Sequence, residues 1–295
     1  MDQQKLELRK IRGFGDNISD TFSFIRGNFR RLLQMFFSVC GIFLLIMAVC
    51  SGLQARSSTD LIAKMRTMEI FGPVYSGPLF KDIFFVIVPT WLGITAVGVM
   101  VNAYMLCYDA GPGIPSIDGV WKHFRKFYLK VLLYSIPVGL LIGAGSLICV
   151  LPGIYLGVVL TNYISIAVME DASLGVTFNR CFTLIRGNFW LSLGIYLIVY
   201  LIAFMASLTI GIIFGVAGGI WMLVSVHSYN TLPWIFLVII NVFRLIFYII
   251  PTVSITLHYF TLTERVDGLG LIRKVGQIGV PLEGMPGEPD EEFGH

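Results

Sequence analysis

Arg244 stands inside an apolar stretch of the chain, where an ionised side chain either marks a site or reaches to the surface. Asn102, Asn162 and Asn241 also fall in apolar stretches. Together the four form a candidate intramembrane polar site, the guanidinium supplying charge for an anion or a lipid phosphate and the amides supplying hydrogen bonds. Counted back from Thr261, Arg244 lies about 25 Å up a helix. Snorkelling to the outer surface is thus the simpler reading of it, and interhelical hydrogen bonding that of each asparagine.

A second set, Arg26, Arg30, Arg31, Arg125, Lys126 and Arg186, stands just before apolar stretches, at the depth of lipid phosphates. Anionic headgroups attract such cations by about 1 kcal/mol each; the simpler reading is a positive charge at a cytoplasmic helix end. No set fit for catalysis accompanies them. His123, His227, His258 and His295 have no carboxylate or cysteine at ligand spacing, and HExxH, GxSxG and Walker patterns are missing. No Asp or Glu lies in the middle of an apolar stretch, which counts against a proton relay or cation site. The five cysteines form no CxxC pair and no metal spacing. Cys50 and Cys149 both fall near the outer surface, where a disulfide between them is conceivable. The expectation is a protein with no catalytic set, no metal and no cofactor.

The elements that carry these residues follow from composition. Of 295 residues, 56% are hydrophobic and 13% charged, against about 25% charged in a soluble domain. Apolar runs at 32–51, 83–106, 131–150, 153–169, 191–224 and 234–262 account for the difference. Each approaches or exceeds the ~20 residues that cross a bilayer core. None alternates in and out as a barrel strand would, so helices are expected. The stretch 190–224 is long for one span but holds no loop that would divide it, and is read as one tilted or protruding helix.

Cytoplasmic loops concentrate Lys and Arg. With the N-terminus inside, seven fall in 1–31, four in 109–130, two in 170–188 and three in the tail, against four in the outer loop 52–81 and none in 225–233. Both termini are therefore placed in the cytoplasm, and the first span acts as its own insertion signal because no cleavable leader precedes it.

The word Ile-Arg-Gly-Asn-Phe occurs at 25–29 and again at 185–189. Upstream of the first, Ile18, Phe22, Ile25 and Phe29 share a helix face. Adding 160 gives Phe178, Phe182, Ile185 and Phe189; adding 99 gives Ile117, Trp121, Phe124 and Tyr128. Each copy precedes an apolar run and has the amphipathic, aromatic and basic character of an interfacial helix. Asp16, Ser116, and Asp171 or Ser173 are the expected N-caps. The expected fold is all-α and polytopic, with six transmembrane helices as three hairpins, each preceded by a cytoplasmic in-plane amphipathic helix. It forms a single membrane domain over 1–270, with units at about 16–108, 116–170 and 172–262 related by rotation about the membrane normal. Gly27-Asn28 and Gly187-Asn188 are expected to end the in-plane helix and start the vertical one; in the middle unit, which lacks the pair, a bend in a continuous helix is expected.

Small residues at Ser207, Gly211, Gly215 and Gly219, and at Gly139 and Gly143, predict close helix contacts. Pro89, Pro137 and Pro251 predict kinks. The tail 271–295 has the composition of a disordered cytoplasmic segment.

Several short patterns occur in a fixed order. Leu-Pro-Gly-Ile-Tyr-Leu spans 151–156, then come Glu170-Asp171, Arg180 and Leu-Ile-Arg-Gly-Asn-Phe-Trp at 184–190, and finally Tyr-Phe-Thr-Leu at 259–262 with Glu264-Arg265. This order resembles a broad group of bacterial six-helix membrane proteins, including the membrane domain of some glycerophosphodiester phosphodiesterases. The resemblance covers roughly 16–270 and implies the fold and a bacterial inner membrane. It implies no phosphodiesterase activity, since the catalytic barrel would need far more chain than follows Arg265. The group's pattern would lead one to expect more polar or charged residues than Thr261 and Thr263. The functional expectation is a non-enzymatic integral membrane protein that binds membrane lipids or another membrane protein. The alternative is a transporter or channel for a small solute, anions included; nothing suggests nucleic acid.

Overall fold

The computed structural model describes residues 6–66, 76–111, 115–224 and 233–268. Helices α1 (Phe14–Arg66), α2 (Ser76–Ala110), α3 (Ile117–Ile148), α4 (Val150–Leu160), α5 (Tyr163–Met169), α6 (Leu174–Ile185), α7 (Phe189–Val224), α8 (Pro233–Phe247) and α9 (Ile249–Asp267) make up the described fold. No strand occurs among the described residues. Six stretches are long and apolar enough to span a bilayer: Phe14–Leu53, Phe84–Ala110, Ile117–Ile148, Val150–Met169, Phe189–Ile220 and Val238–Asp267. The chain is an all-α polytopic membrane protein, as the apolar runs predict. In lipid the backbone must satisfy its own hydrogen bonds, and the helix does so within one segment. The tail expectation for 271–295 lies outside the described residues.

The centre of the bundle is α9, in which every residue from Pro251 to Glu264 is buried. It is surrounded on all sides, in contact with α1, α2, α5, α6, α7 and α8. A helix so enclosed can carry hydroxyls only if each finds a partner. Ser254 Oγ donates to Asn17 Oδ1 at 2.6 Å and Thr256 Oγ1 to Asn102 Oδ1 at 3.2 Å. Thr252 and Thr261 donate to carbonyls one turn back, and Thr263 to that of Phe260. Thr261 and Thr263 are thus inside the protein, which is why these positions hold small hydroxyls and no charge.

Two spans are interrupted. The fourth is divided at Thr161–Asn162 into α4 and α5, and the sixth at Tyr248 into α8 and α9. At the second break Pro251 lacks the N–H that would bond the carbonyl of Phe247. Pro89 and Pro137 lie inside helices that run on through them. The fifth span, α7, is one uninterrupted helix.

The two copies of Ile-Arg-Gly-Asn-Phe take different shapes. The second is a corner: α6 ends at Ile185, Gly187 has φ +83°, and α7 begins at Phe189. The first is not a corner, since α1 runs through Gly27 and Asn28 without a positive φ. There Asn28 Nδ2 donates to the carbonyl of Phe24 at 3.0 Å, and Phe24 is buried against Tyr104 and Tyr108 on α2. The middle copy also lies inside one helix, α3. A separate short helix therefore precedes only the third pair of spans. Burial repeats where backbone shape does not: Asn17, Thr21 and Phe24 are buried, as are Thr177, Cys181 and Leu184 160 residues on. The predicted apolar face is divided: Phe22, Phe29 and Phe182 are exposed, while Ile25, Phe178 and Phe189 pack against the core and Ile185 is buried.

Of the expected N-caps, Ser116 caps α3 by accepting from Gly119 N at 3.1 Å. Ser173 precedes α6 without a side-chain bond, and Asp16 sits within the first turn of α1, accepting from Gly13 N. Among the described residues the small-residue stripe does not mediate packing: nothing lies within 4 Å of a Cβ built on Gly139, Gly143, Gly211, Gly215 or Gly219. α7 meets α8 on its other face, where Gly218 approaches Phe236. Cys50 and Cys149 are both free thiols.

Candidate functional site

The cations at the end of the bundle where α6 lies fall into two classes. One class is paired with acids. Arg9 binds Asp109 at 3.0 Å, Lys10 and Arg12 share Asp20 at 2.8 and 2.9 Å, and Lys126 and Lys130 share Asp171 at 2.6 Å each. Arg12 is fully buried and also donates to the carbonyls of Leu8 and Glu7, which fastens the segment before α1. Burial pulls its guanidinium below the ordinary value, against the opposing pull of Asp20. Arg26, Arg30, Arg31, Arg125 and Arg186 are exposed and have no acidic partner among the described residues. Of the six expected headgroup contacts, then, five face outward unpaired, while Lys126 is engaged by Asp171. Trp190 is 80% exposed next to this rim, with Phe22, Phe29, Trp121 and Phe182 also exposed.

Residues of the ordered motifs meet at the same end of the bundle. Glu170 Oε1 accepts from Tyr259 OH at 2.9 Å and from Arg180 Nε at 3.1 Å, and Arg180 also binds Asp267. These two carboxylates raise the Arg180 pKa, Asp267 contributing more. Arg265 Nη1 donates to Asn188 Oδ1 at 2.6 Å. This network ties α5, α6, α7 and α9 together. The sequence names every one of these residues except Asp267. Glu170 and Arg180 are ten residues apart, but the other three pairings join residues 77 to 89 apart and could not be read from spacing.

Within the membrane the four expected polar residues do not form one site. Arg244 is exposed and donates to Thr90 Oγ1 on α2 at 3.0 Å. Asn241 lies one turn earlier on α8. Asn162 is buried at the α4–α5 break and donates to Tyr196 OH at 2.7 Å, its own Oδ1 having no partner. Asn102 alone lines a cavity, a half-enclosed space of about 190 Å³. Thr161, Tyr163, Ser165, Tyr200, Tyr248 and Thr252 supply the other polar groups of its wall, and no charged residue lines it among the described residues. Both span interruptions border this cavity, and non-helical backbone at membrane depth is tolerated where it is buried in protein or faces such a space. Tyr200 is eleven residues along α7 from Phe189, so the cavity lies about 16 Å from that helix end.

One pairing was missed by the sequence reading. His258 Nε2 lies 2.8 Å from Ser192 Oγ in the bundle core, with Tyr196 edge-on to the ring. His258 Nδ1 has no partner, and both residues are fully buried. A serine and a histidine in hydrogen-bond contact would need a group orienting the imidazole and a path for substrate to act as nucleophile and base. His123 Nδ1 is 2.8 Å from the Gly119 carbonyl of its own helix and 3.6 Å from Cys107 Sγ on α2, so the ring sits between the two helices. No group of three or more metal-ligating side chains occurs among the described residues.

Comparison with protein-family models, curated proteins and solved structures finds no match for this chain.

Proposed function

We propose that this integral membrane protein is non-catalytic, resides in a bacterial inner membrane with both termini in the cytoplasm, and binds anionic lipid through its cytoplasmic rim. The observation that carries the reading is the sorting of cations: some are neutralised by acids, while Arg26, Arg30, Arg31, Arg125 and Arg186 are exposed, have no acidic partner among the described residues and stand beside exposed aromatics. Aromatic rings favour the membrane interface and arginine favours phosphate. At about 1 kcal/mol for each cation near an anionic surface, five such residues supply a few kcal/mol. In this reading the three units 16–108, 116–170 and 172–262 present equivalent rims, and the likeness to the membrane domain of glycerophosphodiester phosphodiesterases is one of scaffold.

The test is native mass spectrometry of protein extracted in a lipid-retaining system. Wild type is expected to keep anionic phospholipid, and a variant with all five arginines changed to Gln is expected to lose it. Equal retention by both, or none by wild type, overturns the proposal. A membrane-protein partner reached through the same rim would co-purify with wild type and not with the five-fold variant.

A second reading, passage of a small solute, is favoured by the cavity between the two interrupted spans. Its uncharged wall suits a neutral solute better than an anion, and Arg244 is not on that wall. Osmotic swelling of proteoliposomes in glycerol or urea measures it. A flux that falls when Ser165→Leu fills the cavity supports passage; swelling no faster than in empty vesicles removes it.

A further inference from the structure

We infer that a single anionic glycerophospholipid binds lengthwise in the groove between α1 and the start of α3. This rests on the lipid-binding reading above and names its main site. The groove, about 610 Å³, is lined by Arg30, Leu33, Gln34, Phe37 and Ser38 of α1, with Phe29 at its inner end and Ile117 of α3 on its far side. Arg30, Gln34 and Ser38 follow one another at four-residue intervals, which stacks them along one helix face. Leu32, Met35, Phe36 and Val39 on the other face are buried in the bundle.

The polar stripe is unexplained by the protein itself. Gln34 and Ser38 lie inside an apolar run, are exposed, and make no hydrogen bond among the described residues. A bare amide and hydroxyl facing hydrocarbon are costly. Other hydroxyls on exposed helix faces, such as those of Ser146 and Thr209, bond back to their own helix. Gln34 and Ser38 instead lie about 6 and 12 Å along the axis from Arg30. That order matches the polar end of a glycerophospholipid: phosphate at Arg30, and glycerol and ester carbonyls at Gln34 and Ser38. An acyl chain would then continue over Phe37, which is 54% exposed, toward Leu45, which is 68% exposed. Gly41 falls on the same face, and nothing lies within 4 Å of a Cβ built there, so the path is open. Charge selects an anionic headgroup, since Arg30 has no acidic partner among the described residues.

The experiment adds phosphatidylglycerol to delipidated full-length protein and counts bound lipid by native mass spectrometry, with phosphatidylcholine and inorganic phosphate as parallel probes. One phosphatidylglycerol is expected to bind ahead of all others, phosphatidylcholine more weakly, and inorganic phosphate not measurably. Arg30→Gln is expected to weaken the first lipid about tenfold, the effect of losing one charge-assisted hydrogen bond. Gly41→Leu, which inserts a side chain into open space and so leaves the fold intact, is expected to weaken it by obstructing the chain path. Lys122→Gln, an exposed cation outside the groove, should not change it. If Arg30→Gln and Gly41→Leu both bind as wild type does while the five-fold rim variant loses lipid, the groove assignment is wrong and rim binding stands. If wild type binds no phosphatidylglycerol, both fail together. Equal binding of inorganic phosphate, or of phosphatidylcholine, also overturns the assignment.

Discussion

Asn188 accepts a 2.6 Å hydrogen bond from Arg265, and Asn28, at the equivalent place in the earlier copy of the same five-residue word, accepts one of 2.8 Å from Tyr104. Both asparagines join the beginning of one span to the end of another, across 77 and 76 residues. The contact is shared while the backbone differs, a corner in one copy and continuous helix in the other.

That difference gives opposite signs to the same substitution. Gly187 has φ +83°, where a Cβ is strained, so Gly187→Ala should destabilise by about 1–2 kcal/mol. Gly27 is exposed within a helix, where Ala is better than Gly, so Gly27→Ala should stabilise by about 0.5–1 kcal/mol. Apparent melting temperatures in one detergent would show it; shifts of the same sign would mean that the two copies share a backbone shape.

The Glu170 network should behave as a unit. Tyr259→Phe removes one neutral donor to a carboxylate and should cost about 1 kcal/mol, whereas Glu170→Ala strands a phenol that is nearly fully buried and should cost about 1–3 kcal/mol. Combined, the two changes should cost less than their sum, because they remove the same bond. An additive double variant would show that Tyr259 and Glu170 are not coupled.

Asp171 links α3 to the turn before α6 through Lys126 and Lys130. Hydrogen bonds from these two lysines, Lys126 first, hold its carboxyl below the ordinary value. A depressed carboxylate stabilises the fold above its unfolded pKa of about 3.9 and loses that contribution as pH falls through the lower folded value. Because the side chain is half exposed, the contribution is about 0.5 kcal/mol and shrinks with salt. Melting temperatures of wild type and Asp171→Asn should thus differ at pH 6 and converge toward pH 3. A constant gap across that range would rule out this titration.

The α3–α4 hairpin turns at Cys149 and closes on glycine. A Cβ on Gly153 would come within 2.8 Å of Ser146 Cα. Gly153→Ala must push the helices apart and should cost about 1–3 kcal/mol. Gly139→Ala, with open space around it, should be neutral or slightly stabilising. Measured side by side in thermal unfolding, equal effects would mean that the hairpin is not packed at this point.

The amino-acid sequence by itself determined the class of this protein. Apolar runs of about twenty residues partition into lipid wherever they occur in a chain, and helix formation inside lipid needs no distant partner. The six spans and the exposed arginines before them could accordingly be read from local composition. Local composition also gave the buried pattern shared by Asn17, Thr21 and Phe24 with Thr177, Cys181 and Leu184 its spacing, though which face was buried could not be read: the aromatic residues at 22, 29 and 182 face outward. Tertiary structure decided the rest. Whether Gly-Asn bends depends on what lies opposite, Tyr104 and Tyr108 in one copy and α9 in the other. Whether Gly211 or Gly153 is close-packed depends on which helix arrives beside it. Lys126 is bound by Asp171 from 45 residues away, and Arg244 is parted from Asn102 by the packing of α8 on α2. These outcomes are relations between segments, fixed by which surfaces bury one another, and no single segment contains them.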